Sequence, residues 1–190
     1  MLSDFFMIVL CVIIIVLFAI DLHQTRSVRI AQFKKVSDGE YWRNRPTSYD
    51  SISEYNSIKL PHRATKGSAG YDFYAPFDFE LNPGETIKMP TGIRAKIDNG
   101  WVLQIFPRSS LGFKYRAQLD NTVGIIDSDY YNSDNEGHIF IKITNDSRNN
   151  TKLSIKAGEA FAQGIFIKYG LTADDNVAAI RNGGIGSTNK

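Results

Sequence analysis

The chain has 190 residues, 43% of them apolar and 22% charged, with a net charge of +2. At roughly 150 residues per domain this length allows one domain and a remainder, and the composition excludes disorder for the bulk of the chain. The single cysteine, Cys11, sits near the N-terminus, which excludes disulfide staples, zinc–thiolate sites, iron–sulfur clusters and thiol nucleophiles in the body. His23, His62 and His138 are too widely spaced to suggest a metal site.

Residues 5–20 are apolar without interruption. About 20 helical residues at about 1.5 Å each would span the roughly 30 Å of a bilayer core. No Lys or Arg precedes Arg26, so the basic n-region of a signal peptide is missing. Within residues 22–49, Arg26, Arg29, Lys34, Lys35, Arg43 and Arg45 stand against only Asp38 and Glu40. That flank predicts a single-pass membrane anchor with the C-terminal body in the cytoplasm. The rival expectation is a translational start near Val28, which would remove the segment. The balanced charge of residues 50–190 argues against a broad nucleic-acid surface.

The expected organisation is a hydrophobic segment at 1–21, a basic tether and start of the domain at 22–57, a β-barrel at 58–178 and a Gly-rich C-terminal lid at 179–190. A short helix is expected near 48–58, with Ser48 or Asp50 as N-cap. From Lys59 onward, short β-rich runs are punctuated by Gly, Pro, Asn and Asp. They are YDFY at 71–74, TIKM at 86–89, WVLQIF at 101–106, HIFIKIT at 138–144, KLSIK at 152–156 and AFAQGIFIKY at 160–169. In HIFIKIT, Ile139, Ile141 and Ile143 share one face, the period of a half-buried strand. Many short strands without βαβ alternation predict an all-β fold, an antiparallel barrel or jelly roll. No Walker loop and no dinucleotide fingerprint is present.

Three stretches carry candidate chemistry. Pro107-Arg108-Ser109-Ser110-Leu111-Gly112 follows a strand and combines a guanidinium with adjacent hydroxyls, a set suited to phosphate. Taken alone it is also an ordinary solvated turn. Gly124-Ile125-Ile126-Asp127-Ser128-Asp129-Tyr130 reads as a strand ending in a fixed carboxylate able to deprotonate a water, or as a polar hairpin tip. Its acidic spacing lacks the Gly and closing Glu of a calcium loop. The tail from Arg181 to Lys190 is Gly-rich, with backbone N–H groups free to cradle an anion.

Taken together these stretches resemble a known family. With Gly70-Tyr71-Asp72-Phe73-Tyr74-Ala75, Asn121-Thr122-Val123 ahead of Gly124, and Gly158-Glu159-Ala160-Phe161-Ala162-Gln163, they occur in the order found in trimeric-type dUTP diphosphatases (dUTPases). The chain from about Arg29 to Lys190 is most similar to the form of Gram-positive bacteria and their phages. The resemblance implies hydrolysis of dUTP to dUMP and pyrophosphate by a homotrimer with shared active sites. It implies Asp127 as the general base and Asp72 near Mg²⁺ through water. It also implies Arg108, Ser109, Ser110 and Gln163 on the phosphates. Asn121 and the backbone around Gly124, Ile125 and Ile126 would read uracil, and Tyr130 would pack on the deoxyribose. Arg181, Ile185, Gly186, Ser187 and Thr188 would form a closing C-terminal lid.

Some residues depart from the family pattern. Ile185 stands where a Phe usually stacks on uracil, and Ile has no π face. Ala160 replaces a common Arg, and residues 131–136 take the place of what is often one residue, predicting a longer hairpin tip beside the pocket. Two other readings stand beside the dUTPase one: a dCTP deaminase of the same fold, and a membrane-tethered regulatory protein that keeps the nucleotide pocket.

Overall fold

The computed structural model describes residues 6–7, 9–15, 29–46, 52–179 and 181–184. The chain divides into two compact units, Met1–Ile30 and Ala31–Lys190.

In the first unit, 6–7 and 9–15 are helical. Among the described residues no helix is long and apolar enough to cross a membrane. This corrects the expected transmembrane helix, and with it the expected single-pass placement of the body. An apolar run establishes hydrophobicity, whereas a span requires a helix both apolar and long.

The second unit is mostly strand. Its strands are β1 (Ala31–Lys35), β2 (Tyr71–Tyr74), β3 (Phe79–Leu81), β4 (Thr86–Pro90), β5 (Ile93–Ile97) and β6 (Trp101–Pro107). After them come β7 (Gln118–Leu119), β8 (Gly124–Ile126), β9 (Phe140–Thr144), β10 (Leu153–Ile155) and β11 (Ala160–Lys168). They form the sheets β1-β5, β3-β10, β2-β11-β6-β8 and β4-β9-β7, with every pair antiparallel.

Period-2 alternation sorts the side chains. In β9, Ile141 and Ile143 point inward while Lys142 points to solvent, and in β5 Ile93, Ala95 and Ile97 are buried around Arg94 and Lys96. Phe73, Met89, Leu103, Ile139, Leu153 and Phe161 complete one core with them.

Three short helices interrupt the strands: α1 (Asp38–Arg43), α2 (Ile52–Ser57) and α3 (Ser109–Tyr115). Helix α1 starts where the Ser37 hydroxyl accepts from Glu40 N, with Asp38 and Glu40 in the first turn and Arg43 in the last. It buries Tyr41 completely. Helix α2 lies within the expected 48–58 stretch, while Ser48 and Asp50 lie outside the described residues.

Candidate active site

The four-stranded sheet carries two groups of polar residues at different places along β6. The first gathers at the end of β6. Asp72 on β2 stands opposite Gln163 on β11, and Gln163 stands opposite Phe106 on β6. Arg108, just past β6, sends Nε to 3.2 Å from Asp72 Oδ1. Gln163 Nε2 donates to Pro107 O at 3.2 Å. A Cβ at Gly70 would stand 2.7 Å from Gln163 Oε1, so glycine there leaves room for the amide. Ser109 and Ser110 open α3 with exposed side chains. Burial first, and then the Asp72 charge, raise the Tyr74 phenol above its ordinary value beside this group.

The second group surrounds β8. Gly124 approaches β6 closely, since a Cβ there would stand 3.1 Å from Ile105 Cβ. β8 is an edge strand, so one row of its backbone N–H and C=O groups faces away from β6. A cavity of about 190 Å³ opens there, lined by Asn121, Gly124, Ile125, Ile126, Tyr130 and Arg181 together with Ile105, Leu119, Phe140 and Ile141. Asp127 follows β8 directly, at the entry to a 3-10 turn over Ser128–Asn132. Residues 131–136 are therefore no simple hairpin tip: the turn continues into them and buries Ser133.

The tail returns to the same place. Arg181 Nη2 donates to Asp127 Oδ2, and Arg181 Nε lies 3.0 Å from Asp129 Oδ1. In the amide orientation that satisfies both groups, Asn182 Nδ2 donates to Asp134 at 2.6 and 3.0 Å. Ser133 Oγ donates to Gly183 O at 3.3 Å. Gly184 approaches the Tyr130 ring closely, since a Cβ there would stand 2.4 Å from Cε2. Ile185, Gly186, Ser187 and Thr188 lie outside the described residues.

Tyr130 is buried, which raises its phenol above the ordinary value. Its hydroxyl donates to His138 O at 2.8 Å. His138 is fully buried, and burial lowers its imidazole to about 4, so it is neutral at pH 7. Nε2 accepts from Gly92 N at 3.0 Å, which leaves Nδ1 to carry the proton toward Glu40 Oε1 at 3.3 Å. Burial raises the Glu40 carboxyl.

The two groups do not meet within one chain. Ile126 stands opposite Leu103, so Arg108 lies about 16 Å further along β6 at about 3.3 Å per residue. Asp72, Arg108, Ser109, Ser110 and Gln163 belong to one group. Asn121, Gly124, Ile125, Ile126, Asp127, Tyr130 and Arg181 belong to the other.

Among the described residues there is no cluster of three or more His, Cys, Asp or Glu able to hold a metal ion. A lone carboxylate such as Asp72 suits Mg²⁺ that is carried on phosphates and keeps its waters. The sequence reading missed Ile105, Leu119, Phe140 and Ile141 as cavity wall, and Asp129 as a second carboxylate on Arg181. The apolar ones carry no local motif, because their role comes from strand register.

Comparison with known proteins agrees with this architecture. The dUTPase family model matches residues 56–189. The deoxyuridine 5'-triphosphate nucleotidohydrolase of Lactococcus lactis subsp. lactis (strain IL1403) is 39% identical over 146 residues, covering 74% of this chain and 95% of that protein. The crystal structure of dUTPase from Streptococcus mutans aligns with a TM-score of 0.57 at 34% identity, covering 74% of this chain and 97% of that one. A mutant dUTPase from phage phi11 of S. aureus, described as coordinating a structural Mg(II) ion, aligns with a TM-score of 0.58 at 19% identity. It covers 80% of this chain and 98% of that one, and it shares the fold. With more than half of its length matched by the family model and a relative of this identity, the chain belongs to the dUTPase family.

Proposed function

We propose that the chain hydrolyses dUTP to dUMP and pyrophosphate. One observation carries the reading in a chain of this family: the cavity is bordered by the free edge of β8, and Asp127 leaves that strand directly. Backbone N–H and C=O groups in fixed alternation match the donor–acceptor edge of uracil. Asn121 supplies a further amide, and Tyr130 a flat wall for the deoxyribose. Asp127 acts as general base on the water that attacks the α-phosphorus. Arg108, Ser109, Ser110 and Gln163 bind phosphate oxygens.

The tail takes part by exchanging partners. Arg181 pairs with Asp127 and Asp129. A triphosphate offers it a more concentrated anion, and its departure leaves Asp127 free to take a proton. The lid formed with Ile185, Gly186, Ser187 and Thr188 then excludes water from the phosphates. A divalent cation such as Mg²⁺, carried in with the triphosphate, would supply positive charge to offset the negative charge developing on the pyrophosphate leaving group. Asp72, whose carboxylate is held by Arg108 Nε at 3.2 Å, would hold that cation through water.

The working unit is a homotrimer. The separation along β6 favours sites in which one chain supplies the β8 group and a partner copy the Arg108 group.

Incubating the purified full chain with dUTP and with dCTP in Mg²⁺ tests the activity. The expected products are dUMP and pyrophosphate from dUTP, with dCTP untouched. Ammonia release from dCTP would assign a deaminase instead, and binding without turnover a regulatory protein.

A further inference from the structure

Residues 131–136 are tied to the rest of the fold at both ends. The Glu136 carboxylate accepts from Ser37 N at 2.8 Å and Ser37 Oγ at 2.5 Å, tying the loop to the start of α1. Arg94 stacks on the Tyr131 ring at 3.7 Å and donates from Nη2 to Tyr131 O at 2.5 Å. Gly137, at φ +68, closes the loop where a Cβ would stand 2.7 Å from Tyr130 O.

Inside this clamp Asn135 faces the candidate sugar wall. Its Nδ2 donates to Tyr130 Oη at 2.7 Å, and that hydroxyl donates onward to His138 O at 2.8 Å. Asn135 is itself held: Oδ1 accepts from Gly137 N at 3.2 Å, and its carbonyl accepts from His138 N at 3.0 Å. The hydroxyl of Tyr130 is thus fixed from two directions, while its ring lines the cavity beside Asn121 and Gly124.

We propose that Asn135 is a positioning residue for Tyr130 and, through it, sets the discrimination of deoxyribose from ribose. The proposal rests on reading the cavity as the dUTP site. The physical argument is stiffness. Simple pockets reject one added hydroxyl poorly. A wall excludes the 2′-hydroxyl only if it cannot yield, and shifts of about 1 Å decide such contacts. A phenol held by packing alone can tilt away from the sugar; one hydrogen-bonded at its tip on both sides cannot. The bonds at the far end of the ring therefore set the position of the near face.

The test compares the ratio of kcat/KM for UTP to that for dUTP in the wild-type chain, Asn135→Ala, Tyr130→Phe and the double variant, with Tm recorded for each. Loss of one hydrogen bond predicts a rise in the ratio of about five-fold for Asn135→Ala. Tyr130→Phe keeps the ring and removes both bonds of the hydroxyl, so it should raise the ratio at least as far, and the double variant should go no further than Tyr130→Phe. A lowered Tm with an unchanged ratio in Asn135→Ala would make the residue merely structural and overturn the proposal. Should Asn135→Ala not fold, an unchanged ratio in Tyr130→Phe overturns it equally. Tyr130→Ala separates the two levels: if even that leaves the ratio unchanged, the reading of Tyr130 as the sugar wall fails and takes the proposal with it.

Discussion

Arg181 donates to Asp127 across 54 residues of sequence, and its Nε reaches to 3.0 Å from Asp129. The C-terminal tail thus neutralises the carboxylate proposed as the base. Arg181 lines the cavity and at the same time holds both carboxylates, so the three form one electrostatic unit.

Replacing Asp127 with Asn keeps the shape and removes the base. kcat for dUTP should fall by about 10²–10⁴-fold, the usual worth of a general base. KM should not rise, because one of the two carboxylates competing for Arg181 is gone. Near-normal turnover by Asp127→Asn would assign the base elsewhere.

Sharing of sites between chains predicts complementation. Asp127→Asn and Arg108→Ala should each be nearly inactive alone, since they damage different groups of the site. Unfolded together and refolded, they should regain a fraction of the activity, because some mixed sites receive an intact β8 group and an intact Arg108 group. Light scattering should give a mass three times the 21.3 kDa of the chain. A monomeric mass, or no recovery on mixing, would remove the shared-site arrangement.

Gly137 should not tolerate a side chain. Its φ of +68 lies in the left-handed region, and a Cβ would press 2.7 Å from Tyr130 O. Gly137→Ala should cost about 1–3 kcal/mol from strain and crowding together. Gly84 has φ +84 with nothing within 4 Å, so Gly84→Ala carries the conformational cost alone and serves as the control. Thermal melts should show the larger fall in Tm for Gly137→Ala; equal falls would mean that the contact with Tyr130 is relieved without cost.

His138 predicts acid sensitivity. Burial lowers its folded value to about 4 from the ordinary 6.5. Between those values the unfolded chain binds a proton that the folded chain refuses. Stability is therefore fully present above about 6.5 and is lost as the pH falls toward 4, by up to about 3 kcal/mol. Glu40, raised by burial, acts with the opposite sign and offsets part of this loss. His138→Gln, which does not titrate, should be less stable at pH 7.5 yet lose less Tm between pH 7.5 and 5. Parallel slopes for the two proteins would place the acid sensitivity in other groups.

Local pattern was enough for much of the fold and for family membership. The alternation in HIFIKIT placed Ile139, Ile141 and Ile143 in the core, because a strand's period of two is a property of the backbone. The Gly-Ile-Ile-Asp stretch was legible as a strand leading into a carboxylate, since Gly124 and two β-branched residues constrain only their immediate neighbours. Strand β1 was harder to see: its outward Gln32 and Lys34 alternate with Ala31 and Phe33, and the basic charge around them dominates the reading. The apolar run of residues 5–20 announced its hydrophobicity, but hydrophobicity alone did not make a membrane-crossing helix among the described residues. Tertiary structure alone decided the rest. The register of β8 on β6 separates the Arg108 group from the Asp127 group, and chain return brings Arg181 to Asp127 and Asn135 to the tip of Tyr130. Such contacts depend on which strands pair and how a loop folds back, and neither is written in the few residues on either side of a motif.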